Sequence, residues 1–334
     1  MRKYVDLPII EPMYSTYHYQ GPCTAIIETN PSIKNWCLNQ TMILKCTRKF
    51  LSGFTTPEVS VVQSSWYQNP HFERIFFSSR YLEGYCHPVI NKMLEQGYYI
   101  CFEGIDDYYI EGKTWYNTRH FVHDGCICGY DPKSKKYCLY AYDSNWVYRK
   151  FWTPKKSFEA SRKHLHKRGI HTSFYAIKPK LEKVELDPNA VITNLSTYLD
   201  SNMKKYPPSQ EGEAHGTVVH DYIALYIDKL FNDSIPHERT DKRVFRMVWE
   251  HKKVMLERLI AMETTLGLDN KTSQAYQKIV DEANNIRMIY MAYCLRCKKS
   301  VLPIIKNKLL YIKNREKVLL KNFIKKAKKK NPIT

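Results

Sequence analysis

The sequence predicts an α+β protein in two parts, a mixed first half and a helical second half. Up to about residue 180, short runs rich in aromatic and β-branched residues alternate with helical periods. After "IKPKLEKVELDP" the pattern changes to long helical periods with few glycines. The chain has 334 residues, 43% of them hydrophobic, enough to bury a sizeable core. We therefore expect one domain over residues 1–182 and a helical domain over 183–334.

The individual elements follow from the same periodicities. Alternation and β-branched content indicate strands, 3.6-residue periods indicate helices, and Pro, Gly and Asn clusters separate them. The lysine-rich end "KKAKKK" is expected to form a frayed, solvated basic tail. The predicted strands cover 97–105, 119–130, 136–144 and 171–177, and the predicted helices 35–50, 86–96, 155–167, 188–204, 216–232, 237–265, 272–300 and 303–328.

Composition indicates a reducing compartment. No apolar stretch is long enough for a membrane span and no signal-peptide pattern appears at the start, so we expect a cytoplasmic protein. The ten cysteines are scattered in a chain too large to need disulfides. The close pairs Cys126/Cys128 and Cys294/Cys297 lack the glycines or prolines of a zinc knuckle, so we expect no metal and no cofactor.

The net charge of +19 is concentrated at the C-terminal end. Residues 301–334 hold 11 Lys or Arg and one Glu, giving 11 − 1 = +10. A basic surface selects an acidic partner, which can be nucleic acid, an anionic membrane surface or an acidic protein.

The stretch "FVHDGCICGYDPKSKKYCLYAYDSNW", residues 121–146, is typical of a β-hairpin. With Gly129 opposite Tyr137, paired residue numbers sum to 266 and His123 faces Asp143. Opposed side chains on one face lie about 5 Å apart, so the carboxylate can orient the imidazole as a general base. Asn145 and Asp131 are weaker candidates for the orienting group, and Asp124 points to the other face. The alternative is a surface histidine that happens to face an aspartate.

Such a pair needs a nucleophile, and "YHYQGPCTAII" offers Cys23. Pro22 suits the first turn of a helix, where unpaired N–H groups and the peptide dipoles lower a thiol pKa. Gln20 just upstream can help to hold an oxyanion. Cys37 is the rival nucleophile, with Asn35 as a possible helix cap, and a third alternative is that both thiols are simply buried. A cysteine followed by histidine and carboxylate is the chain order of papain-like enzymes.

The stretch from Gly97 to Ser144 resembles the butirosin-biosynthesis protein H N-terminal family, a group with a papain-like cysteine-protease fold. The shared pieces are Gly97-Tyr98-Tyr99, Asp106-Asp107 before Tyr108-Tyr109, His123-Asp124, and Gly129-Tyr130-Asp131. The basic, tyrosine-rich character and helical second half are also similar to an amide-forming enzyme of closthioamide biosynthesis. The resemblance implies a papain-like fold over about residues 5–180 and acyl transfer to an amine, with His123 and Asp143 at the family's histidine and carboxylate.

The expected function is therefore a cysteine acyltransferase of nonribosomal-peptide-type biosynthesis. Cys23 would take an acyl group from the phosphopantetheine thioester of an acidic carrier protein and pass it to a small amine, without ATP, metal or membrane. A peptidase or thioesterase that uses water is the first alternative. A nucleic-acid-binding protein is the second, suggested by the tail and by "RKHLHKRGIH" at 162–171, although no recognised nucleic-acid motif is present.

Overall fold

The computed structural model describes residues 3–53, 55–62, 66–81, 85–209 and 212–331. It divides the chain into two compact units, one of residues 1–34 with 64–183 and the other of 35–63 with 184–334. The boundary between residues 183 and 184 lies next to the expected domain boundary at 182. Residues 35–63 were expected in the first domain but belong to the second unit. The mixture of helix and antiparallel sheet confirms the α+β class.

The strands in chain order are β1 (Val5–Asp6), β2 (Leu44–Thr47), β3 (Val59–Val61), β4 (Phe72–Ser78), β5 (Tyr99–Asp106), β6 (Val122–Asp131), β7 (Lys136–Tyr142), β8 (Tyr148–Pro154), β9 (Ser173–Pro179) and β10 (Glu213–His215). The α-helices are α1 (Gly21–Ile27), α2 (Pro31–Gln40), α3 (Cys86–Glu95), α4 (Lys155–Lys167), α5 (Pro188–Leu199), α6 (Val219–Phe231), α7 (Arg243–Leu266), α8 (Lys271–Arg296) and α9 (Leu302–Lys330).

The first unit is built on an antiparallel sheet of order β4-β9-β5-β6-β7-β8. Strand β6 pairs with β7 along one edge, and along the other with β5 and then with the short β1. This gives β6 partners over most of its length. It therefore places His123, near its start, at the end of a well-supported strand.

One face of this sheet is a hydrophobic core covered by α3 and α4. Ile90 and Leu94 lie one helical turn apart on α3 and pack with Ile127 and Leu139 from the sheet, while α4 contributes Phe158. All five are buried, and each such side chain contributes roughly 1.5–3 kcal/mol by leaving water. This face fixes the sheet on which the candidate site residues lie.

Helix α1 packs close to Tyr148, the first residue of β8. A Cβ atom at Gly21 would lie 2.5 Å from Cζ of Tyr148, so only glycine allows this approach. The Tyr148 hydroxyl donates to the carbonyl of His18, 3.4 Å away. The close approach holds the start of α1, and with it Cys23, against the sheet.

The hairpin register is partly as predicted. Cys126 pairs with Tyr140, which fits the predicted sum of 266, but an irregularity after Ile127 puts Gly129 opposite Cys138 instead of Tyr137. Strand β7 ends at Tyr142, and the paired residue of His123 is Ile105 on β5. The expected His123–Asp143 pair is therefore not part of the ladder.

The second unit combines the small sheet β10-β2-β3 with the long helices α5 to α9. The five helices agree closely with the five predicted after residue 182. The predicted helix 35–50 is wrong, since α2 ends at Gln40 and β2 follows. The buried guanidinium of Arg258 explains the ending, because Nε donates to the Leu38 carbonyl at 2.5 Å and an Nη to that of Thr41 at 3.2 Å.

The C-terminal lysines belong to a packed helix, which corrects the expected frayed tail. Helix α9 continues to Lys330, and its buried face carries Leu309, Ile312, Leu320 and Phe323. The lysines occupy the remaining faces. Among the described residues, no helix combines the length and apolar character needed to cross a bilayer.

Candidate functional site

Cys23 is fully buried at the third position of α1, with Pro22 in the first turn as predicted. The helix has only seven residues, so the aligned peptide dipoles behind the thiol are few. Thr24 ties the helix down, since its hydroxyl donates to the Tyr14 carbonyl at 2.8 Å. The helix therefore contributes position more than electrostatic activation.

Gln20 occupies the N-cap position of α1. Its side chain is fully buried and makes no capping hydrogen bond. Neither Nε2 nor Oε1 has a hydrogen-bond partner among the described residues. A buried unsatisfied polar group costs roughly 1–3 kcal/mol, so the unpaired amide three residues before Cys23 calls for an explanation.

Cys37 occupies a different environment from the one predicted. It is the seventh residue of α2, whose start is Pro31, so neither the first-turn position nor a cap at Asn35 applies. The Asn35 side chain instead donates to the Val184 carbonyl at 2.9 Å. Cys37 is fully buried in the second unit, whereas His123 belongs to the first.

Buried thiols surround Cys23 on the sheet. Side-chain hydrogen bonds join Cys101 of β5 to Cys23 and to Cys126 of β6. Burial raises the pKa of Cys101 and Cys126 well above the usual thiol value, and it does the same to Cys128. These three thiols stay protonated near neutral pH and pack as small apolar groups.

His123 is oriented by Asp107 and not by Asp143. A hydrogen bond joins Nδ1 of His123 to Oδ2 of Asp107, a buried residue of the short 3₁₀ turn that follows β5. The other oxygen of Asp107 lies 3.5 Å from Nζ of the buried Lys113. Burial lowers the pKa of Lys113, while the charge of Asp107 opposes that shift. The imidazole thus keeps Nε2 for proton transfer, as a general base requires.

Asp143 organises the turn between β7 and β8. Its Oδ1 accepts from the backbone N–H groups of Asn145 at 2.8 Å and Val147 at 2.9 Å, and its Oδ2 pairs with Arg149. Burial alone would raise its pKa, but these hydrogen bonds and the Arg149 charge outweigh burial and lower it. The expected orienting role is therefore corrected, because the chain turns immediately after β7.

The two weaker candidates for the orienting group also have local partners. Asp131 accepts from Ser134 at 2.6 Å and from the Lys133 N–H at 2.9 Å. Asn145 is exposed and gives its backbone N–H to Asp143. Both serve turns of the hairpin region.

A second imidazole lies beside His123. The His18 ring stacks on it with centroids 4.7 Å apart and planes 7° from parallel, and its Nδ1 lies 3.2 Å from Oδ1 of Asp124. Burial raises the pKa of Asp124 to about 6, against the opposing charges of His123 and Lys113. We call His18, Asp107, Lys113, His123 and Asp124 the His123 cluster.

Tyr67 interacts electrostatically with both Cys23 and Asp124. Burial raises the pKa of its hydroxyl well above the usual value, and the charges of Cys101, Cys23 and Asp124 would each raise it further. Cys23, Gln20 and the His123 cluster all belong to the first unit.

Sequence reasoning missed Asp107, His18 and the role of Asp124. Asp107 is visible in the sequence as part of "IDDYY". Ile105, two residues before Asp107, pairs with His123, so a correct prediction of this strand pairing would have placed Asp107 near His123. No signal in "YHYQ" distinguished His18.

Neither Cys23 nor His123 belongs to any group of three potential metal ligands found among the described residues. One such group does occur in the described part of the chain, formed by Asp106, His120 and His164.

Comparison with known proteins gives no family assignment. A scan against protein-family models matches none, and a search of curated proteins finds no significant match.

Proposed function

We propose that this chain is a papain-like cysteine acyltransferase that forms an amide between a carrier-protein-bound acyl thioester and an amine. The observation that carries the proposal is the buried, unpaired amide of Gln20, three residues before Cys23. Nε2 of such an amide is a donor held ready for an oxyanion, and the folded protein gives it no other partner among the described residues.

In the first half-reaction, the Cys23 proton passes to Nε2 of His123 and the thiolate attacks the thioester carbonyl. Gln20 stabilises the negative oxygen of the tetrahedral intermediate. The C–S bond to pantetheine breaks, and the departing thiolate takes the proton from the imidazolium. Asp107 supports the imidazolium through Nδ1. One thioester replaces another, so the step needs no ATP.

In the second half-reaction, an amine attacks the acyl-Cys23 carbonyl and gives a proton to His123. The new C–N bond forms, and the Cys23 sulfur leaves and regains its proton. Cys23 and Gln20 are completely buried, so the site must open to admit the thioester and the amine, and its closure over the acyl-enzyme would then restrict access of water. The basic character of the chain suits an acidic carrier protein, and the reduced thiols suit the predicted cytoplasmic location.

The peptidase or thioesterase alternative shares every residue of this site and differs only in the acceptor. Product analysis with and without a diamine separates the two functions. We expect amide product to accumulate when the diamine is present, and hydrolysis at an equal rate under both conditions would favour the alternative.

The nucleic-acid alternative rests on the exposed lysines of α9 and on the basic stretch 162–171. Salt-dependent retention of the protein on DNA tests it, with charge reversal of Lys325, Lys328 and Lys329 as the comparison, since all three are exposed. We expect no retention of the parent at about 0.15 M salt, and retention that the charge reversal abolishes would favour this alternative.

The decisive experiment is mass spectrometry of the intact protein after incubation with an acylated carrier protein. We expect the acyl adduct to form on the parent and on Cys37→Ala, and to be absent from Cys23→Ala. Cys101→Ala is the matched control, because it removes a buried thiol beside Cys23. An adduct that persists in a folded Cys23→Ala variant would overturn the assignment.

A further inference from the structure

Asp106, His120 and His164 form a cluster of ligand groups in the first unit, apart from the thiol chemistry. Oδ2 of Asp106 lies 2.7 Å from Nδ1 of His120 and 3.5 Å from Nε2 of His164. The two imidazole rings stack face to face with centroids 4.4 Å apart and planes 6° from parallel, so one ring must rotate for both nitrogens to point to a single ion. All three ligand atoms lie within 4.8 Å of one another. Two histidines and one carboxylate are a ligand set that divalent transition metals use.

Asp106 is held in place for this role. It is fully buried, and its Oδ1 accepts the backbone N–H groups of Tyr108 and Phe121, both at 3.2 Å. Its own N–H donates to the hydroxyl of Ser161 on α4, 2.6 Å away. One oxygen is thereby fixed by the backbone while the other faces the imidazoles.

His164 supplies an independent sign of a ligand. Its Nε2 is buried and has no hydrogen-bond partner in the described part of the chain, since 3.5 Å to Asp106 is too long for a good bond. Its Nδ1 lies 3.3 Å from the Tyr109 hydroxyl. A metal-binding histidine shows this arrangement, in which one nitrogen faces the metal and the other is oriented by a polar neighbour.

His120 leaves the cluster open on one side. Its side chain is 44% exposed, and its ring also stacks on Tyr108 at 4.4 Å. If Nδ1 binds a metal, the ring proton moves to Nε2. Three protein ligands with a solvent-accessible side leave a coordination position for water.

We infer that Asp106, His120 and His164 bind one divalent transition-metal ion, with Zn²⁺ as the best match to two imidazoles and one carboxylate. The ion would join the end of β5 to α4 and to the segment before β6. Asp107, the next residue, turns to His123, so the two carboxylates serve separate groups. The inference does not depend on the proposed acyl transfer.

The test is calorimetric titration of chelator-treated full-length protein with Zn²⁺. The parent should bind one tight equivalent, and His120→Ala and His164→Ala should each bind at least about 100-fold more weakly, since even outer-shell changes cost 10–100-fold. Tyr109→Phe should weaken binding by about 10-fold. His166→Ala, also on α4, is the matched control and should bind like the parent.

Titration with Co²⁺ identifies the ligand atoms, because thiolate ligands give an intense charge-transfer band that imidazole and carboxylate do not. We expect visible d–d bands without the thiolate band. Circular dichroism confirms that each variant is folded. The inference is overturned by absence of tight binding to the parent, by tight binding retained in His164→Ala, by loss in His166→Ala, or by a thiolate signature.

Discussion

The two units each bury a group of charged side chains, and the two groups differ in how completely their polar atoms are paired. In the second unit, Nζ of Lys252 lies 2.7 and 2.9 Å from the two oxygens of Glu316 and 3.0 Å from the Tyr198 hydroxyl. Tyr198 and Tyr276 both donate to Glu316. These residues are buried, so the network is closed and every charge has its partner.

The residues of the candidate site in the first unit leave several polar atoms unsatisfied. Gln20 has neither amide atom paired, and Oδ1 of Asp107 and Nζ of Lys113 stand 3.5 Å apart, too far for a good hydrogen bond. A closed network adds specificity to a fold, while an open one retains groups for chemistry. The comparison predicts that changes in the closed network of the second unit affect stability and that changes in the open group of the first unit affect activity.

The largest effect is expected from opening the closed network. Lys252→Ala leaves Glu316 charged and buried without its cation, which should lower the free energy of unfolding by about 3–5 kcal/mol. Urea denaturation followed by circular dichroism measures this loss. The double variant Lys252→Met, Glu316→Leu removes both charges and should recover most of the stability. A loss below about 1 kcal/mol in the single variant would show that the network is not closed.

Removal of the Gln20 amide should mainly lower activity and have little effect on stability. Gln20→Ala should lower kcat/KM for acyl transfer by on the order of 10²–10³, as expected for loss of an oxyanion donor. The free energy of unfolding should change by less than about 2 kcal/mol, because removal of an unsatisfied buried amide offsets part of the cost of the cavity. Gln96→Ala, an exposed glutamine of the same unit, is the control. If Gln20→Ala only destabilises the protein and leaves the rate intact, the amide has a packing role.

The next comparison is between Asp107, which the structure places on His123, and Asp143, which the sequence predicted there. Asp107→Asn should lower the rate by on the order of 10², because the imidazolium loses its carboxylate. Asp143→Ala should lower stability by about 1–2 kcal/mol through loss of the turn hydrogen bonds, with a rate near that of the parent. Steady-state kinetics beside thermal unfolding distinguishes the two variants. A large rate loss in Asp143→Ala together with an unchanged rate in Asp107→Asn would instead identify Asp143 as the orienting residue.

The smallest effect concerns Asp124, whose folded pKa is raised from 3.8 to about 6. The folded state favours its protonated form, so its contribution to stability is fully present below pH 4 and is lost as pH rises through 6. Asp124→Asn should therefore raise the free energy of unfolding by about 1–2 kcal/mol at pH 7.5 and change it little at pH 4. Chemical denaturation at both pH values tests this, and an equal effect at both would contradict the raised pKa.

Local sequence was enough for the long helices of the second unit, for strands β5, β6, β7 and β9, and for the segment that holds Gln20 and Cys23, but it did not predict β4 or β8. Helices α5 to α9 follow from long 3.6-residue periods, and strands β6 and β7 from alternation, because both periodicities are properties of contiguous residues. Gln20, Pro22 and Cys23 lie together for the same reason. The end of α2 could not be read in this way, because it depends on Arg258, more than 200 residues later in the chain.

Tertiary structure alone decided which carboxylate meets His123. The sequence places Asp143 opposite His123 by counting along an ideal hairpin, but the end of β7 and the turn after it remove Asp143, while pairing with β5 brings in Asp107. The meeting of Asp106, His120 and His164 likewise joins a strand, a loop and a helix. Periodicity determines which face a side chain occupies, but only the packed chain determines which distant group lies opposite.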